Sequence, residues 1–574
     1  MRARLFLLLA SASACAASPH PFPLRDPFLV DTDKMPVSVA CRATPDKDDP
    51  KQMTCAPVEY ISPFIWDQVD NMLFARVSRG LSIDVTGEAR NANSLDEVAD
   101  SAWFTNNYNI EGHDDGADGA CKPEDMLPGP DEVKDGEWVV DHGKDNGSTL
   151  GFRVDIPGKG KYMLKADDTG KPERASAASV IGAALYDAIG YNTTCEQVVQ
   201  VKKSMLKLKE GLKVTDNEGI SKPFDDAALD KVLASSTQLG NGLVRLQASK
   251  WLPGLALGPF RYVGTRGDDP NDVIDHRDRR ELRGNRILSA WLDHWDAREQ
   301  NSMDIWFAVD EKNKRSSPGY VRHYILDMSD TMGGEVGIDE MSRRLGHAYE
   351  FSAADIGRAI FTFGADERPW DRARYQPGKE KFAYFSTRDF DPGGWRPFYP
   401  NPAFLRMTER DAAWMARKIA RFSPETIRKF VDLGKWKNAA DAEYLTNILV
   451  ERQRRILTRY LAKLSPLGDV HVDGDRICAT DFARLRGIAP EATFRYTIVE
   501  HRQHERNAID PLPGDHGTVC FTTHSRAPAR AAETDPTRRV TFEVRDGTSA
   551  APLLIHAYDL GPKGMKIVGL TRKD

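Results

Sequence analysis

The sequence predicts an α+β chain in several parts, and three observations carry that expectation. Strand-like runs cluster around one alanine-rich helical run between about residues 136 and 255. Helical patterns dominate from 256 to 465. After Ser465 and Pro466 the chain changes into short strand-like runs separated by turn residues. At 574 residues and 40% hydrophobic, it holds enough apolar material for two cores and parts of a third. The net charge of −6 is spread, with no basic tract, which argues against nucleic acid as a partner.

The first residues speak of export. Arg2 and Arg4 precede a short apolar run and then the small residues ASASACAAS, together a signal peptide over 1–18. The run is too short for a membrane span of ~20 residues. Cys15 follows Ala12, Ser13 and Ala14, close to a lipoprotein box but without its usual leucine. Lipidation at Cys15 and simple cleavage nearby both stand, and a membrane enters only through such an anchor. The destination would be the periplasm, the outer membrane as a lipoprotein, or the outside. Six further cysteines form sequence-local couples, and an even count in an exported chain favours disulfides. The preferred pairs are Cys41 with Cys55, Cys478 with Cys520, and Cys121 with Cys195. Residues 19–135 are rich in proline, aspartate and glycine and read as a loop-rich extension. Their acidic run 111–118 lacks the EF-hand pattern and reads as a solvated loop.

Chemistry concentrates in HWDAREQN, 294–301, which sets Asp296 two residues after His294 and Asn301 five residues after Asp296. Phosphoryl transfer needs a carboxylate to take or orient the proton of an attacking hydroxyl. It also needs an oxygen ligand for a magnesium ion on the nucleotide phosphates. Asp296 and Asn301 supply those groups, and Arg298 can neutralise charge on the transferred phosphate. Apolar residues at helical spacing in GNRILSAWLDHW put a helix before this loop. MDIWFAVD and YVRHYILD read as two strands around the turn EKNKRSSPG. The second strand leads to Asp327, the expected magnesium aspartate, with Asp330 as a rival ligand.

Upstream, GKGKYMLKADD places Lys165 at the end of an apolar run, where it can reach phosphates. KPERASAASVIGAALYDAIGY then reads as a helix with Glu173 at its start. Glu173 is either the carboxylate that pairs with Lys165 or a first-turn charge favoured by the helix dipole. GKDNGSTLGF, 143–152, is either a phosphate cradle built on Gly147 and Gly151 or a plain hairpin turn.

Taken in order, Lys165, Glu173, Asp296, Asn301 and Asp327 resemble the ATP site of the protein-kinase-like superfamily. The likeness is closer to its atypical HipA-type and secretory-pathway branches than to signalling kinases. It covers roughly 136–465 and implies a two-lobed kinase-like core, with a smaller lobe over 136–255 and a larger lobe over 256–465. The chain also resembles a group of exported bacterial proteins with a run like HRDRRELRG, here 276–284. The resemblance implies ATP and Mg2+ as cofactors. Lys165 and Glu173 would hold the nucleotide, Asn301 and Asp327 the metal, and Asp296 and Arg298 would act on a hydroxyl acceptor, whether protein, glycan or small molecule. The literal HRD at 276–278 is a decoy, because the segment continues into a helix, so Asp278 and Glu281 read as helix-start charges. DMS replaces the usual DFG, and Trp295 replaces the arginine that grips a phosphorylated activation loop, so regulation by that route is not expected. Two other functions stand beside phosphate transfer: AMP transfer on the same scaffold, and a non-catalytic envelope scaffold. Residues 466–574 read as a small β-sandwich-like domain that binds a partner, glycan or envelope surface. No GxSxG, HExxH or Walker A pattern points to another chemistry.

Overall fold

The structure, a computed structural model, describes residues 33–35, 37, 41–45, 53–57, 66, 69–81, 86–106, 121–144, 149–167, 169–215, 221–310, 312, 317–512, 514, 517–528 and 535–572. The leader with Cys15, the acidic run 111–118 and Gly147 lie outside the described residues, as do the side chains of Cys41 and Cys55. The backbone around those two cysteines forms an antiparallel hairpin, Cys41–Pro45 with Met53–Pro57.

The chain is mixed α/β, and its largest sheet curls into a half-barrel. Strands β1 (Trp138–Gly143), β2 (Gly151–Ile156) and β3 (Gly160–Ala166) follow one another as an antiparallel meander. Helix α1 (Arg174–Ile189) comes next, then β4 (Glu196–Lys202) and β5 (Leu243–Lys250), and β5 pairs with both β3 and β4. Past β4 the chain turns and lays Leu206–Leu208 parallel to β1, so the two edges of the sheet approach each other. The concave side is filled by Trp138, Val140, Phe152, Tyr162, Leu164 and Leu246. Strand periodicity explains why: in β3 Tyr162, Leu164 and Ala166 turn inward, which leaves Lys165 on the opposite face. That face is covered by α1, whose small residues are buried almost all round, as a helix packed on several sides must be.

The second core is helical. Helix α2 (Arg280–Leu292) leads into a hairpin of β6 (Ser302–Ala308) and β7 (Gly319–Ile325). It packs against α3 (Glu409–Ile419) and α5 (Ala439–Leu461), with α4 (Pro424–Asp432) between them in sequence. Local chemistry sets the helix starts: Thr408 caps α3, and Ser423 caps α4 with a proline in its first turn. Trp291, Trp414, Leu449 and Leu457 fill this core, each such side chain contributing about 1.5–3 kcal/mol of burial. Val98, Trp103 and Phe104 belong to the same core, so the later part of the N-terminal extension, although poor in regular elements, is an integral layer.

At the C-terminal end a three-stranded sheet (Leu467–Asp473, Arg476–Asp481, Thr518–Thr522) and a five-stranded one share an apolar core. Leu467, Ile477 and Phe521 come from the first sheet and Val540, Phe542 and Ile555 from the second, a sandwich-like arrangement. Disulfides join Cys121 to Cys195 and Cys478 to Cys520, which fits an oxidising compartment. Asp96 ties the parts together. It meets Arg280 on α2 at 2.6 Å, Arg417 on α3 at 2.9 Å and Arg572 on the last strand at 3.4 Å. Burial alone would raise this carboxyl, but the three guanidinium groups outweigh it and hold it well below the usual range.

Candidate functional site

Beneath the open side of the curled sheet, three distant stretches of chain meet. Lys165 on β3 places its ammonium 3.1 Å from Asp327 Oδ1, just past β7. Asp327 adopts a left-handed backbone, φ 56°, and its Oδ1 also accepts from the Ser329 hydroxyl at 2.7 Å. The turn that follows is pressed against α1. A Cβ on Gly182 would stand 2.6 Å from Met328 Cβ, so only glycine lets the helix pass this close. Arg174 at the start of α1 holds the same turn by donating to the Ser329 carbonyl at 2.7 Å.

The HWDAREQN loop approaches from the other side. Helix α2 ends at Asp293 in the left-handed conformation, which turns the chain toward the cleft. Asp296 is buried; Arg298 Nε lies 2.9 Å from its Oδ1, and Asn301 Nδ2 donates to its Oδ2 at 2.9 Å and to its backbone carbonyl at 2.8 Å. Asn301 and Asp327 are neighbours by strand register. Ser302 pairs with Ile325, and the Leu326 amide donates to the Asn301 carbonyl at 2.9 Å. With its amide nitrogen turned to Asp296, the Asn301 side chain keeps its carbonyl oxygen for another partner.

The charges are lopsided. Burial pushes Asp296 up to about 7, with Asp330 and Asp327 adding to the shift while Arg298 and Asn301 oppose it. Burial and the neighbouring Asp327 raise Asp330 to about 6. Burial also works against charge on Asp327, but Lys165 and Ser329 reverse the balance and hold it far below the usual carboxylate range. Lys165 is raised in turn: Asp327 and Glu196 overcome its desolvation. Three carboxylates therefore share one pocket of low dielectric with Lys165, Arg174 and Arg298, and two of the three are pushed toward the neutral form.

Glu173 does not join this group. It stands before α1 in a left-handed conformation, φ 73°. Its carboxylate takes Lys381 Nζ at 2.9 Å and the Lys437 amide at 2.9 Å. The expected Lys165–Glu173 pair is therefore replaced by a tether to the helical part. The acidic neighbour of Lys165 is Glu196 on β4. Lys165 and Gln247 are register partners, as are Ser249 and Glu196, so the four side chains share one face of the sheet. Gln247, Ser249 and Thr194 donate to the Glu196 carboxylate at 3.0, 2.6 and 2.7 Å. In sequence Glu196 is only one carboxylate within the strand-like run TTCEQVVQV, with nothing to tie it to Lys165. Gly151 lies opposite Lys165 in the β2–β3 ladder, where a Cβ would meet the Leu164 carbonyl at 2.5 Å. The Lys144 amide donates to the Gly151 carbonyl at 3.0 Å, and the charge of Lys144 is felt at Asp327.

His294, which in sequence only sets the spacing to Asp296, is fully buried. Its Nδ1 lies 2.9 Å from the Tyr186 hydroxyl of α1. Burial lowers its pKa to about 4, so the ring is neutral, and its Nε2 has no hydrogen-bond partner among the described residues. Asp278 of the literal HRD is part of a structural network, paired with Arg283, Arg406 and Arg90. Glu281 receives the Asn91 amide at 2.6 Å and stands beside Arg279.

No protein-family model matches this chain, and no curated protein matches it. Among solved structures it is similar to the crystal structure described as the Golgi casein kinase. The identity is 10%, with 57% of this chain and 76% of that chain covered and a TM-score of 0.25. A likeness that loose carries no argument about the site.

Proposed function

We propose that the chain is a phosphotransferase of kinase-like architecture that moves the γ-phosphate of ATP to a hydroxyl acceptor outside the cytoplasm. The observation that supports it most is the convergence of Lys165, Asp327, Asn301 and Asp296 from three separated segments into one cleft. In this reading Lys165 holds the α and β phosphates, with Glu196 and Asp327 keeping it charged. Asp296 orients the acceptor hydroxyl and takes its proton, helped by burial that brings its pKa near neutrality. A bond forms from the acceptor oxygen to the γ-phosphorus. The bond from that phosphorus to the bridging oxygen breaks, and ADP leaves with the electron pair. Arg298, held on Asp296, neutralises charge on the transferred group.

The donor set suits a magnesium ion. Among the described residues no group of three or more His, Cys, Asp or Glu side chains is placed to hold a metal ion, so the phosphates would have to complete the shell. The remaining oxygens of Asp327 and Asn301 would hold the ion, with Asp330 beside them, and it would supply the positive charge that the two raised carboxyls lack. All else in the mechanism is positioning by this chain's own residues.

The test uses the chain from residue 19 with its disulfides intact, magnesium, and ATP labelled in turn at the γ and α phosphates, beside Asp296→Ala and Asp327→Ala. Transfer of γ label that both substitutions abolish supports the proposal. Transfer of α label would make it an AMP transferase. Neither transfer nor nucleotide binding would leave a scaffold and overturn the reading.

A further inference from the structure

A cavity of about 800 Å³ opens where the end of β5, the end of α1 and the β6–β7 hairpin meet. Lys165, Asp296, Asn301 and Asp327 take no part in its lining, so it is a second recess, apart from the candidate site. Its volume falls within the roughly 300–1,000 Å³ typical of ligand pockets. Trp251, Phe307, Tyr320 and Tyr324 bring four aromatic side chains to its walls. Trp251 is exposed, and the Arg153 guanidinium 4.9 Å over its ring fixes its position. The paired strands of the hairpin and the Cys121–Cys195 disulfide, whose Cys195 lines the cavity, make the walls a built surface.

Folding alone does not account for Asp187, which lines this cavity. It stands in the last turn of α1, where the helix dipole opposes a negative charge. Burial raises its carboxyl to about 6, and among the described residues its carboxylate makes no hydrogen bond or ion pair. Asn192 lines the same cavity. Its Nδ2 donates to the Ala102 and His323 carbonyls at 2.9 and 3.1 Å, which leaves its side-chain oxygen free to accept. Two acceptors on one wall therefore lack the donors that a ligand could bring.

Charge narrows the ligand's class. The lining carries four carboxylates and three cations. Asp125 is already paired with Lys250, and Asp33 accepts from the Ala102 amide at 2.6 Å, which leaves Asp187 and Glu124 to face Lys122 and Arg322. Both signs are present in near balance, which disfavours a strongly charged ligand of either sign. It suits a neutral one rich in hydroxyls, because a hydroxyl donates to a carboxylate and accepts from a cation. We propose that this cavity binds a neutral oligosaccharide. Sugar rings stack their C–H faces on the aromatic side chains, Asp187 and Asn192 accept from sugar hydroxyls, and Lys122 and Arg322 donate to them.

The experiment is titration calorimetry of the chain from residue 19, disulfides intact, with maltotriose, cellotriose and tri-N-acetylchitotriose. Spermidine and trigalacturonate serve as charged comparators. The expected result is binding of at least one neutral trisaccharide with a Kd of about 1 mM or tighter. That binding should weaken by about tenfold or more in Asp187→Ala and in Trp251→Ala. Asp187 has no partner to lose and Trp251 is exposed, so both variants should unfold thermally as the parent does. Binding should persist in Asp296→Ala, which separates it from any failure of the nucleotide reading. The proposal is overturned if none of the three neutral sugars binds, or if both variants bind as the parent does. Binding of spermidine or trigalacturonate alone would assign the cavity to a charged ligand and equally overturn it.

Discussion

Two buried acidic centres in this molecule have opposite electrostatics. Asp96 stands among three arginines, and its carboxyl is held well below the ordinary range. In the cleft, Asp296, Asp327 and Asp330 crowd together, and two of the three are pushed up to about 7 and about 6. The first centre is complete. Its cations come from α2, α3 and the last strand, so it locks the N-terminal extension, the helical core and the C-terminal strands together. In the second the neighbouring cations do not offset burial at Asp296 and Asp330, the condition of a site that expects charge from a ligand. The contrast separates a structural centre from a functional one more sharply than burial does, because Asp96, Asp327 and Asp330 are all half-buried.

The largest expected effect tests that imbalance directly. Asp327→Ala should lower magnesium-dependent transfer by about a thousandfold or more, and it should also lower the denaturation midpoint somewhat, because Lys165 is left without the carboxylate it pairs with. Asp96→Ala should weigh on stability instead of turnover. It strands buried arginines and should cost about 3–5 kcal/mol of stability, read from denaturant unfolding, with little effect on turnover of the protein that remains folded. If Asp96→Ala silences transfer without destabilising, the comparison fails.

A smaller effect distinguishes the two glutamates. Glu196→Gln should raise the KM for ATP by about tenfold, because Lys165 loses one of the carboxylates that hold it charged. Glu173→Gln should leave that KM unchanged and loosen the contact with Lys381. Measuring both KM values in parallel decides which glutamate supports the lysine. Between them in size lies Gly182→Ala, whose methyl would displace the Met328 turn. Moving Asp327 by an ångström should slow transfer by up to about a hundredfold.

A pH dependence gives a further test. Folded, the His294 ring stays neutral down to about 4, while its ordinary value is 6.5. The unfolded chain therefore binds a proton that the native chain refuses. Stability is fully present above pH 6.5 and falls as pH drops toward 4, by about 3 kcal/mol at most. Denaturation midpoints at pH 7 and 4.5 should differ accordingly, and His294→Gln should flatten the difference.

Much of this arrangement was readable from local pattern. The helix and hairpin that flank HWDAREQN and the serine and threonine caps of the later helices follow from neighbours in sequence, while the two described disulfides match preferred couples whose cysteines lie 74 and 42 residues apart. Lys165 was legible because it ends a strand-like run, and Asp327 because it follows another. Glu173 misled because helix starts favour carboxylates whatever they pair with, and here its partners come from residues more than two hundred positions away. Glu196 was invisible for the complementary reason: in sequence it is one charge in a strand, and only the β3–β5–β4 register brings it to the lysine's face. The HRD triplet carried a familiar spelling, yet its aspartate is claimed by three arginines, two of them, Arg90 and Arg406, from different parts of the chain.

By itself the sequence determined the local propensities, the alternation that turns Lys165 away from the barrel core, the spacing of Asp296 and Asn301, and an export-type leader as an expectation. Only the tertiary structure decided which charges meet. A pKa or an ion pair depends on distance and desolvation, and both are set by the curl of the sheet and the close passage of α1 at Gly182, which no short stretch of sequence encodes.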